Sequence, residues 1–143
     1  MGNRRKGREC ALQLLYGLEF NALQDGAETR KYLSDFWKSF PDESSSNDDV
    51  RAFAEALVLG VRNHDERIDG LIQKASTNWK LERMALVDRN ILRIATLELR
   101  HLDDIPPKVS LNEAIEIAKR YGTEDSSSFI NGILDKISSQ RPR

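Results

Sequence analysis

DRNILRIATLELRHL, residues 88–102, carries apolar side chains at Ile91, Leu92, Ile94, Ala95, Leu97, Leu99 and Leu102. At the helical pitch these positions cover a wide arc, where a half-buried strand would alternate apolar and polar residues. A helix with so broad an apolar face belongs at the centre of a bundle, touched by neighbours on several sides.

The same period runs outward in both directions. Upstream, Ile68, Leu71, Ile72 and Ala75 repeat it, as do Val50, Phe53, Ala54, Leu57 and Val61, and Leu33, Phe36, Trp37 and Phe40. Asn63-His64-Asp65-Glu66 supplies caps for the fourth helix, and PDESSSNDD (residues 41–49) reads as a polar loop. Downstream, Pro106-Pro107 breaks the chain, and Ser110-Leu111-Asn112-Glu113 has the form of a capping box opening the sixth helix. Gly122 ends that helix, and Thr123-Glu124-Asp125 starts a seventh whose stripe is Ile130, Ile133, Leu134 and Ile137. Neither β alternation nor an internal repeat is evident. The expected fold is all-α: a single-domain compact bundle of about seven helices over residues 1–143, with a basic arm at residues 1–9.

The 143 residues are 39% hydrophobic and 31% charged, a globular balance. No run reaches the roughly 20 apolar residues that span a bilayer, and the basic start lacks the continuation of a secretory signal. One cysteine, Cys10, excludes an internal disulfide, which suits a cytoplasmic protein. Net charge is −1, but Arg4, Arg5, Lys6 and Arg8 face only Glu9 within the first ten residues. Such a cluster can bind a polyanion locally, because charge beyond about 10 Å is largely screened.

Catalytic patterns are missing. The sequence has no glycine-rich phosphate loop, GxSxG, HExxH or CxxC, and His64 and His101 with Cys10 give no metal-ligand spacing. Asp103-Asp104 before the proline pair reads as a solvated loop, and the two histidines as helix-end residues. The expectation is a non-enzymatic protein with no cofactor and no metal.

Three surfaces suggest binding. Cations at a helix N-terminus oppose its dipole, so the arm either leaves the helix or serves a function such as gripping phosphate. On the last helix, Phe129 lies roughly 90° from the centre of the apolar stripe, with Asp125 one turn earlier on the same flank. An aromatic beside a carboxylate can stack an unpaired base and accept its N–H, or it can widen the core while the Asp serves the dipole. Lys119 and Arg120 lie just before it. On the first helix, Ala11, Leu14, Leu15 and Leu18 form one face, and Leu12, Tyr16 and Phe20 a ridge roughly opposite. That helix is either sandwiched or shares a face with a partner.

ECALQLLYGLEF, Trp79 in NW, DRNILRIATLEL and IPPKVSLNEAIEIAKRYGTEDSSSFINGILDKI resemble the NusB family of transcription antitermination factors in chain order, from about Arg4 to Ile137 and least across residues 24–62. The resemblance implies an all-helical fold that binds boxA, a short single-stranded element of ribosomal RNA leaders. It also implies pairing with NusE, a small-subunit ribosomal protein, and action with other Nus factors on RNA polymerase against premature termination during ribosomal RNA synthesis. Carried over by position, it assigns RNA contact to Arg4, Arg5, Lys6, Arg8, Asp125 and Phe129, and NusE contact to Tyr16 and Asp88, which also suits an N-cap. Four phosphates on the arm correspond to a salt slope of about −3. The arm is short, interrupted by Gly2 and Gly7, and Ser126-Ser127-Ser128 offers no cation beside Phe129. Two rival readings accompany this one. One is a homodimerising helical module. The other is a relative of the NusB-like domain of ribosomal RNA methyltransferases, against which stands the chain's end soon after the seventh helix.

Overall fold

The computed structural model describes residues 2–21, 26–39 and 48–139, and these form seven α-helices and one 3-10 turn with no strand. The helices are α1 (Gly2–Leu18), α2 (Gly26–Lys38), α3 (Asp48–Asn63), α4 (Asp65–Ala75), α5 (Leu86–His101), α6 (Pro107–Tyr121) and α7 (Ser126–Ser139), with the 3-10 turn at Leu81–Arg83 before α5. The all-α expectation holds. The chain divides into two compact units, Met1–Leu59 and Gly60–Arg143. Phe40 and residues 41–47 of the expected loop lie outside the described residues, whereas Asp48 and Asp49 form the first turn of α3, where carboxylates suit the dipole.

In the first unit, the basic arm is not a tail: it is the opening two turns of α1. Its cations are held against the dipole by aromatic contact. The Arg4 guanidinium lies 4.3 Å from the centre of the Phe53 ring on α3, and that of Arg8 lies 5.3 Å from it. Gly7 makes the approach possible, since a Cβ there would come within 2.8 Å of Phe53 Cδ2. Two polar contacts tie the helices of this unit. The Tyr32 hydroxyl donates to the Leu14 carbonyl (3.3 Å), and Trp37 Nε1–H donates to Glu55 Oε2 (2.8 Å).

The second unit is built around α5, whose residues Asn90–Leu92 and Ile94–Leu99 are all buried. Arg93, half-buried between them, holds α4 with a two-pronged ion pair to Asp69 (Nε–Oδ1 2.8 Å, Nη2–Oδ2 3.1 Å) and also donates to Asn90 Oδ1 (3.0 Å). Glu98 is only 1% exposed, and its Oε1 accepts a hydrogen bond from the Ser110 hydroxyl at 2.7 Å.

That bond corrects the sequence reading of Ser110. Pro107 occupies the first position of α6, where a missing N–H costs nothing, and Pro106 precedes it in extended conformation. Ser110 therefore sits inside the helix, facing the core, and does not cap it. Two other cap expectations also shift. The residue preceding α5 is Ala85, which puts Asp88 in the first turn and not at the cap. At α4, His64 occupies the cap position without a side-chain hydrogen bond, and the Glu66 N–H is taken by Asp65 Oδ1 (2.6 Å).

His64 and His101 lie at helix ends as expected, and they stack on each other with ring centres 4.0 Å apart and planes 10° from parallel. His101 Nε2 is buried without a hydrogen-bond partner. Burial, followed by the charges of His64, Arg67 and Arg100, pushes the His101 pKa down against the opposing pull of Asp103.

Two outcomes test this packing. Ser110→Ala leaves the Glu98 carboxyl short of a donor and lowers unfolding stability by about 1–3 kcal/mol, read as a lower urea midpoint at unchanged m. Glu98→Gln, which keeps an acceptor for Ser110, loses less. Because the unfolded chain binds the His101 proton more tightly than the folded chain, stability falls as pH drops through the ordinary histidine range near about 6.5. In His101→Gln, thermal melts from pH 8 to 5 show a shallower acid-side loss.

Candidate nucleic-acid interface

The sixth helix ends at Tyr121, and the chain turns into α7 within four residues. Gly122 does not supply a left-handed turn, since its φ is −93°. It supplies room. A Cβ at this position would lie 2.6 Å from Ser126 Cβ and 2.9 Å from the Ala118 carbonyl oxygen. Ser126, itself buried, accepts the Thr123 N–H on its Oγ (2.9 Å) and donates its own N–H to the Thr123 carbonyl (3.1 Å). The result is a compact N-terminal turn in which Glu124 and Asp125 precede α7 and do not form its first turn.

Asp125 is exposed, and its carbonyl accepts the Phe129 N–H (3.2 Å), so the two residues lie one turn apart on the same flank, as expected. Phe129 is half-buried. Its ring meets the edge of Trp79 at 6.0 Å between centres and 82° between planes. Trp79 is 54% exposed, although a tryptophan in a single-chain globule is usually well covered. Its backbone is anchored: the Trp79 carbonyl accepts from Gln73 Nε2 (2.7 Å) and from Ser76 Oγ (3.3 Å), while Gln73 Oε1 receives the Leu81 N–H (2.8 Å). Between residues 75–79 and the Ser128, Phe129, Gly132, Ile133 and Lys136 face of α7 runs a groove of about 290 Å³. Periodicity could not reveal Trp79, because it stands in a loop. An aromatic with no place in any helical stripe was the available signal.

In the first unit, Arg4 and Lys6 are exposed and Arg5 is half-buried, while Arg8 is 3% exposed beneath the Phe53 ring. Arg8 thus offers no free guanidinium on the surface, which removes it from the outward-facing set. The first-helix ridge also divides: Leu12 is buried, whereas Tyr16 (43% exposed) and Phe20 (67%) stand outside with their rings edge to face at 5.4 Å. The sandwich therefore extends only to Leu12. In the second unit, Asp88 is half-buried, and its Oδ1 has no hydrogen-bond partner. Lys119 pairs with Glu116 (3.5 Å), and the Arg120 guanidinium lies 5.4 Å from the centre of the Tyr121 ring.

The sequence profile of the NusB family matches residues 5–139. The chain belongs to the NusB family. Among its NusB relatives, the transcription antitermination protein NusB of Geobacter sulfurreducens is 49% identical over 142 residues, covering 99% of this chain and 98% of the relative. NusB of T. maritima superposes with a TM-score of 0.83 at 38% identity, covering 98% of this chain and 93% of that one. A NusB solved with NusE and double-stranded RNA superposes with a TM-score of 0.75 at 27% identity, covering 97% and 98%.

In this NusB-family chain, the Cβ of Gly122→Ala clashes with Ser126 and the Ala118 carbonyl and forces the first turn of α7 away from the end of α6. The expected loss is about 1–3 kcal/mol, the usual cost of overpacking, measured as a lower Tm.

Proposed function

We propose that this protein is a non-enzymatic, RNA-binding antitermination factor. It recognises boxA-type single-stranded RNA of ribosomal RNA leaders together with NusE, and acts through other Nus factors on RNA polymerase in the cytoplasm. The observation that carries the reading is the aromatic pair of exposed Trp79 and half-buried Phe129, one turn after Asp125 on α7, in a chain whose relatives include a NusB solved with NusE and RNA. That relative's RNA is double-stranded, but exposed rings favour unpaired bases, because duplex RNA keeps its bases stacked and its major groove too narrow for side chains.

In this reading Arg4, Arg5 and Lys6 neutralise phosphates, and Arg8 fixes the start of α1 through Phe53. Asp125 accepts a base N–H, and Phe129 stacks. In the first unit the exposed Tyr16, extended by Phe20, contacts NusE, and in the second Asp88 does so. A tyrosine with a polar tip suits such a surface, and a carboxyl oxygen without a donor suits a partner that brings one.

Labelled boxA RNA titrated with the protein, followed by fluorescence anisotropy with and without NusE, tests the proposal. Binding tightens with NusE, exceeds that of a scrambled RNA, and weakens roughly ten-fold in Phe129→Ala. With Arg8 inside, the arm contributes about −2 to the salt slope, where four arm cations would contribute about −3, and Arg8→Ala leaves the slope unchanged. Equal binding of boxA and scrambled RNA with no effect of NusE rejects the reading. A dimer on size exclusion that Tyr16→Asp dissociates, with no RNA bound, establishes the homodimer instead.

A further inference from the structure

Gly132 is the anomaly on α7. A glycine in the middle of a helix costs roughly 1 kcal/mol against alanine, and a packing reason normally accompanies it. Here there is none among the described residues: a Cβ at Gly132 would meet nothing of them within 4 Å. The space it leaves open belongs to the groove, which the exposed Trp79 indole and the Phe129 ring also line, their planes nearly perpendicular. Lys136, one turn beyond Gly132, stands exposed on the same groove. A volume of about 290 Å³ lies at the lower limit for sites that enclose a drug-sized ligand, and so suits one small planar group.

We propose that this groove receives a single unstacked base of the bound RNA, packed against the Trp79 and Phe129 rings over the bare backbone at Gly132, with Lys136 on the adjoining phosphate. The proposal rests on the RNA-binding reading above and deepens it. Two aromatic walls suit a π face, a missing side chain admits a flat ring, and a cation at the rim matches the backbone that must leave the groove with it. Asn78 and Ser128, which also line the groove, can meet the edge of the base. An apolar peptide side chain would use neither the cation nor the flat opening.

The decisive variant fills the groove without disturbing the fold. Gly132→Leu places a good helix former where nothing obstructs it, so its Tm equals or exceeds that of the parent. With the full chain, NusE and labelled boxA RNA, Gly132→Leu and Trp79→Ala each weaken binding roughly ten-fold, the scale of one base–aromatic stack, while Trp79→Phe retains most of it. Lys136→Ala makes the salt slope shallower by about 0.7. An RNA set with one abasic nucleotide at each position in turn identifies the base. At that position the parent loses affinity and Gly132→Leu loses no more.

Parent-like RNA binding by both Gly132→Leu and Trp79→Ala overturns the groove proposal and leaves the RNA-binding reading intact. Absence of RNA binding by the parent itself removes both. Loss of NusE binding by Gly132→Leu in the absence of RNA makes the groove a protein site, and that too overturns the proposal.

Discussion

A buried carboxyl group must be given donors, and in the Gly60–Arg143 unit that requirement falls on Glu98. Ser110 supplies one from α6, at 2.7 Å. Hydrophobic contact alone is tolerant of a sliding helix, because one leucine can substitute for another against a smooth face. A single buried hydrogen bond is not, since it breaks within about an ångström. The Ser110–Glu98 bond therefore fixes the register of α6 along α5. The end of α6 follows from that register, and with it the position of Gly122, the seat of Ser126 and the first turn of α7. The Phe129 ring that meets Trp79 is thus positioned by a chain of contacts that starts in the core.

The other wall of the groove is positioned from a different direction. The Arg93–Asp69 pair holds α4 against α5, and Gln73 and Ser76 at the end of α4 fasten the loop carbonyl of Trp79. Both walls consequently trace back to α5, one through α6 and α7, the other through α4. The exposed aromatic edge is rigid at its backbone on both sides, and a stack formed there loses little entropy on binding.

Helix content was legible in the sequence because burial in a bundle imposes a period, and Ile68, Leu92, Ile130 and their repeats follow it. Caps were less legible. The Ser110–Glu113 spacing satisfies the local pattern of a capping box, yet the same serine is the donor a buried glutamate twelve residues earlier needs, and only packing decides between the two. The burial of Arg8 was illegible for the same reason: its charge is local, but its shelter under Phe53 comes from a helix more than forty residues away. Phe129 was found from its angle on the helix. Trp79 has no such angle: it is legible only as part of the resemblance, and its loop position gives it no role.

The first unit shows how a chain can hold cations at the end of a helix where the dipole rejects them. Each misplaced charge costs a few tenths of a kcal/mol, and an arginine over an aromatic face recovers about 0.5–1 kcal/mol when exposed. Arg4 and Arg8 share one Phe53 ring, and Gly7 removes the side chain that would hold the helix away from it. The arrangement keeps the basic stretch helical before any ligand arrives. Arg4 and Lys6 then project from a formed turn and not from a coil, so the phosphate contact proposed for them need not offset the entropy of ordering a tail. A short arm interrupted by glycine is, for this reason, better organised for anions than its sequence suggests.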